Sequence, residues 1–167
     1  MTRDKSCVDL LKEAIGTARR IHGEDILGPY EACILSICER VREAEFEISI
    51  ISGESEITPG GCQSVTDWYF HLIRWHICGA SSGLDLIWDL LHELGHIILD
   101  KPEKDKLGDP NWECQAWEKG WEFAISQCPE LSIQRPSFET RGKKCVETYK
   151  REWARKHRDS STPISCS

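Results

Sequence analysis

The chain has 167 residues, enough for one ordinary domain with a real core. Hydrophobic residues make up 40% and charged residues 29%, which excludes a disordered chain, and a formal net charge of -7 excludes a general affinity for nucleic acid. No run reaches the ~18 apolar residues that a membrane-spanning helix needs, and nine cysteines, irregularly spaced and without a CxxC pair, exclude a disulfide framework.

From Val8 to Ile21 the apolar residues fall at helical spacing, with Gly23 just beyond as a stop. Pro29 is placed to open a second helix whose apolar face carries Tyr30, Cys33, Ile34, Ile37, Cys38 and Val41. In 45–51 the period becomes two, and Phe46, Ile48 and Ile50 alternate with polar residues as in a half-buried strand. Pro59-Gly60-Gly61 marks a turn, and the aromatic-rich run 68–77 reads as a second strand. Gly79 to Gly83 is a small-residue loop offering Ser81 or Ser82 as a helix cap. Helix resumes over 84–99 and must end near Pro102. After a charged loop, Asn111 is the expected cap of a helix over 112–126, and a last helix spans about 137–158. The expectation is a single α+β domain over 1–158, with a disordered tail at 159–167. The amino terminus leads into an amphipathic pattern rather than a signal-peptide core, so the expected compartment is the reducing cytoplasm, with the cysteines as small buried hydrophobes.

One pattern carries chemistry. His92-Glu93-Leu94-Gly95-His96 lies within the third predicted helix, where residues four apart share a face. His92 and His96 can therefore turn imidazole nitrogens to one ion, and Glu93 can take a proton from the water on that ion. A zinc ion suits this use, because three protein ligands leave a fourth position open and lower the pKa of bound water to near 7. Apolar residues surround the motif, so the alternative of two histidines with no metal would leave polar groups buried without a common partner.

The third ligand is not a histidine close behind the motif, since position 99 is Leu99 and position 102 is Pro102. Glutamates remain: Glu113, Glu118 and Glu122 lie on the following predicted helix, while Glu103 sits too close to turn back. The run from Trp88 to Leu99, followed by Glu113-Cys114-Gln115-Ala116, resembles the ImmA/IrrE family of small gluzincin-type metallopeptidases, which pair an HExxH helix with a Glu-x-x-Ala helix. The resemblance covers about 85–126 and implies a small zincin-like fold with a short sheet packed on the active-site helix. It implies one zinc ion on His92, His96 and Glu113, with Glu93 as the base. The family carries Asn or Asp four residues after the third ligand where this chain has Trp117, which leaves Glu118 as the alternative ligand.

A developing oxyanion would call for a further donor, and His71, His76 and Tyr69 are candidates from the strand expected to border the cleft. Only one face of that strand can look into the cleft, so His71 and His76 exclude each other, and as an edge the strand could align a peptide. Gly95 costs about 1 kcal/mol relative to Ala inside a helix, so either something approaches it closely or it is merely tolerated. Trp117 and Trp121 share a helix face and read as core, and Cys114 reads as buried and inert.

The stretch 137–158 holds eight Lys or Arg against three Glu, with Phe138, Val146, Tyr149 and Trp153 as a packing stripe. Docking onto the acidic body is the principal reading, and direct nucleic-acid contact the lesser one. The expected function is hydrolysis of peptide bonds in a protein substrate, which the family resemblance extends to DNA-binding regulators, by a zinc-bound water that Glu93 activates. A zinc-binding regulatory or partner-binding module without proteolysis is the alternative.

Overall fold

The computed structural model describes residues 5–53, 64–80 and 82–159. The turn expected at Pro59-Gly60-Gly61 and the tail from 160 onward lie outside the described residues.

Helix α1 spans Cys7–His22. It starts where the Asp9 N–H donates to Ser6 Oγ and ends at Gly23, whose φ of 78° is the left-handed geometry glycine adopts without cost. Pro29 does not open the next helix directly. It sits in a single 3-10 turn at Gly28–Tyr30, after which α2 runs over Glu31–Glu43 and buries Cys33, Ile34, Ile37, Cys38 and Val41. These thiols behave as small hydrophobes, and burial pushes the Cys38 thiol up to about 12.

Strand β1 (Glu47–Ile51) is shorter than the expected 45–51, because Glu45 takes a positive φ where the chain leaves α2. The second expected strand is corrected by the structure. Residues 68–71 form a turn, and the run divides into β2 at Val65–Asp67 and β3 at Leu72–His76. The aromatic run has strand propensity, but Asp67 overrides it: its Oδ1 accepts the N–H groups of Tyr69 and Phe70, and His71 closes the turn at φ 52°. The sheet order is β1-β3-β2, parallel between β1 and β3 and antiparallel between β2 and β3. β3 is therefore central, and among the described residues β2 forms an edge.

Helix α3 (Gly83–Leu99) is capped by Ser82 Oγ, which accepts the Asp85 N–H. It is buried on all sides from Leu86 to Ile97, as expected of a helix apolar all round. It stops at Asp100, two residues before Pro102. The sheet is anchored on it by Trp75, whose Nε1–H donates to the Leu86 carbonyl at 3.1 Å.

Helix α4 (Pro110–Gln127) starts earlier than expected, and its cap is Asp109 rather than Asn111. Asp109 Oδ1 accepts the Asn111 N–H at 2.8 Å, and Pro110 fills the first turn, where a missing N–H is harmless. Helix α5 spans Arg135–Asp159 and docks on α3 and α4. Phe138 sits among Trp88, Trp117 and Trp121, with ring centroids 4.9 to 5.2 Å away. One continuous cluster of buried side chains joins all five helices to the sheet, giving a small α+β fold. No helix among the described residues is long and apolar enough to cross a membrane.

Candidate metal centre

Three polar side chains in this core converge on one point. His92 and His96 come from adjacent turns of α3, and Glu113 comes from the first turn of α4. His92 Nε2 and His96 Nε2 lie 2.6 Å apart, and Glu113 Oε2 lies 3.0 Å from the first and 3.2 Å from the second. All three residues are buried.

The α3–α4 seam makes this possible. A Cβ on Gly95 would lie 1.9 Å from the Ala116 carbonyl oxygen, and one on Gly120 would lie 2.4 Å from that of Leu91. The two helices therefore meet backbone to backbone, with the glycine of each against a carbonyl of the other. Close approach by the Glu113 helix, rather than tolerance, explains Gly95. It brings a side chain as short as glutamate within reach of both imidazoles.

The carboxyl group of Glu113 feels two opposed effects. Burial pushes its pKa up, but hydrogen bonds from His92 and His96 and their charge hold it down at about 2. A lowered pKa favours the carboxylate form, which is the form that binds a metal. The three donor atoms need only spread to about 3.3 Å to become edges of a tetrahedron around an ion at 2.0–2.1 Å. Between two ring nitrogens 2.6 Å apart there is room for one proton at most, so a cation relieves a crowded arrangement. These residues could hold a metal ion.

Aromatic packing fixes the two rings. Trp112 lies 4.1 Å from His96, and Trp117 lies 4.5 Å from His92, centroid to centroid. Ligating histidines commonly donate their second N–H to a carboxylate or carbonyl, yet His96 Nδ1 has no such partner among the described residues. Trp117, which stands where an Asn or Asp was expected, supplies an aromatic wall instead. It is wedged against Phe138 and against Gly142, whose Cβ would meet the indole at 3.0 Å.

Beside the triad is a cleft of about 140 Å³, walled by Glu93, His96 and Glu113 together with Thr66 on β2 and Tyr149 on α5. Glu93 is 4% exposed, and Thr66 Oγ1 lies 2.7 Å from its Oε2. None of the three donors expected from the second strand lines this cleft. Tyr69 is 85% exposed in the turn, the His71 ring stacks on Phe46 at 4.9 Å, and His76 is buried in β3. The four-residue turn explains this, because it takes Tyr69 and His71 out of the strand. Glu118 is likewise displaced. It faces the outer groove between α4 and α5, on a different side of α4 from Glu113, and Cys114 is exposed rather than buried.

Thr66, Tyr149 and the buried pair behind the motif were not foreseen in the sequence. In that pair Asp89, one turn before His92 and 1% exposed, accepts two hydrogen bonds from the Arg141 guanidinium at 3.0 and 2.7 Å. Burial raises the Asp89 pKa and Arg141 opposes that rise. Tyr149 belonged only to the predicted packing stripe, where it shares the helical phase of Phe138. Thr66 gave no signal beyond a short β-branched pair. No protein family, no curated protein and no solved structure matches the chain.

Proposed function

We propose that this chain is a zinc-dependent peptidase of the ImmA/IrrE kind, with a zincin-like arrangement of His92, His96 and Glu113 as ligands and Glu93 as general base. The observation that carries the proposal is the position of Glu93. It stands on the cleft wall beside the three converging donor atoms, rather than among them. Two imidazoles and a carboxylate with room for a fourth ligand suit catalytic zinc. Bound there, zinc would supply a positive charge that acidifies water and polarises a carbonyl.

The chain's own residues do the rest. Glu93 takes the proton of the attacking water and returns it to the leaving amine. Tyr149 replaces the strand residues as the candidate donor to the developing oxyanion, because its ring borders the same cleft. The short edge strand β2 offers its backbone to an extended peptide. The proposed substrate is a protein, such as a DNA-binding regulator. On α5, Arg141 turns inward to Asp89, while Lys150 and Arg155 pair with Glu147 and Glu152 at the surface.

Glu93→Gln tests the reading. The variant should bind zinc as the wild type does and lose cleavage of a wild-type substrate by about 10²- to 10⁴-fold. Equal cleavage by both proteins would overturn the role of Glu93, and failure of the wild type to take up zinc would overturn the metal. The small size of the cleft favours a second reading, a zinc-binding module without proteolysis. Zinc would then stabilise the fold in wild type and Glu93→Gln alike, and neither would cleave any peptide.

A further inference from the structure

We infer that Thr66 is the positioning residue that fixes the Glu93 carboxylate, and that the β2–β3 hairpin exists to deliver its hydroxyl there. The inference rests on the peptidase reading and deepens it.

A threonine hydroxyl carries one proton. At 2.7 Å Glu93 Oε2 lies at full hydroxyl hydrogen-bond length, whereas the Glu93 carbonyl oxygen lies farther off at 3.3 Å. The proton therefore goes to Oε2. Among the described residues no other hydrogen bond reaches this carboxylate. A glutamate side chain has three rotatable bonds, and one oriented hydrogen bond on one oxygen removes most of that freedom.

The placement of Thr66 follows from the register of the hairpin. Thr66 is paired with Ile73, which is buried, so both point to the α3 side of the sheet. Val65 and Asp67 point the other way. Asp67 holds that register: it accepts the Tyr69 and Phe70 N–H groups at 3.1 and 3.2 Å and pairs with Arg74 at 3.1 Å. A slip of one residue would exchange the faces and set Val65 or Asp67 against Glu93. Valine offers no proton, and a second carboxylate would repel the first.

The test uses zinc-loaded wild type, Thr66→Val and Thr66→Ser with a peptide that wild type cleaves, chosen from a quenched-fluorescence library. Valine keeps the shape and removes the hydroxyl, whereas serine keeps the hydroxyl and removes a methyl. Thr66→Val should lower kcat about 10- to 100-fold with KM within about twofold and zinc content unchanged, and Thr66→Ser should stay within about threefold of wild type. Equal kcat in wild type and Thr66→Val would overturn the inference. A second arm needs no activity. In the metal-free protein, Thr66→Val should lower Tm by about 3–8 °C, and by less than half of that in a Glu93→Leu background. Additive shifts would overturn the contact itself. Coupled shifts with a wild type that cleaves nothing would support the contact and overturn the peptidase reading.

Discussion

Helices α4 and α5 both pack on the motif helix α3, but they are held by different means. α4 approaches through main chain, with Gly95 under the Ala116 carbonyl and Gly120 under that of Leu91. α5 is held by side chains: the Asp89–Arg141 pair, a 3.1 Å hydrogen bond from Trp88 Nε1–H to Ser137 Oγ, and Phe138 among three indoles. A backbone seam has no rotamers to adjust, so the distance from α3 to Glu113 is set by the helices themselves. A side-chain dock can shift by rotamer changes. Glu113, the proposed third metal ligand, belongs to the rigid partner, and the tyrosine at the cleft belongs to the adjustable one.

The sharpest way to break this comparison is to detach α5. Arg141→Met leaves the Asp89 carboxyl buried without its partner, and should cost about 3–5 kcal/mol of stability in urea unfolding. Asp89→Leu combined with Arg141→Met should recover much of that loss, because no uncompensated charge remains. A single variant as stable as wild type would show that the dock does not depend on the pair.

Gly95→Ala attacks the seam. Helix propensity alone would make it stabilising by about 1 kcal/mol, so its sign discriminates. Overpacking against the Ala116 carbonyl should instead destabilise by about 1–3 kcal/mol and weaken the proposed metal binding, as the helices separate. A higher Tm for Gly95→Ala would refute the seam.

Acid sharpens the account of Glu113. Its folded pKa, near 2, lies below the ordinary 4.5, so the unfolded chain binds the additional proton. The stability it contributes is present above about pH 4.5 and is lost as pH falls toward 2. In the metal-free protein, Glu113→Gln should flatten the stability curve over that window, and an unchanged curve would refute the assignment.

The smallest effect belongs to Tyr149. Tyr149→Phe should reduce kcat about tenfold while leaving zinc content unchanged, and no change in kcat would remove it from the mechanism.

Much of the site was legible because it is local. His92, Glu93 and His96 need only helical spacing, and the apolar residues around them announce a buried helix. Glu113 was reached through the Glu-x-x-Ala resemblance, and the spacing alone had left Glu118 and Glu122 beside it. What escaped is long-range or set by a turn. Asp89 and Arg141 stand 52 positions apart, and Thr66 and Glu93 stand 27 apart, so no periodicity relates them. The hairpin escaped because strand propensity describes side chains, while the Asp67 carboxylate and a left-handed His71 decide where the backbone reverses. Tyr69 and His71 were misplaced as donors for that reason.

The indoles against the two histidines have a consequence for measurement. Trp112 and Trp117 touch the imidazoles that would meet an ion. An imidazolium quenches a neighbouring indole by accepting an electron from its excited state, and a ring drawn onto a cation changes both its charge and its tilt. Two of the seven indoles thus form an optical gauge of the centre: their share of the emission should change when an ion is added, readable without label, chromogenic metal or substrate.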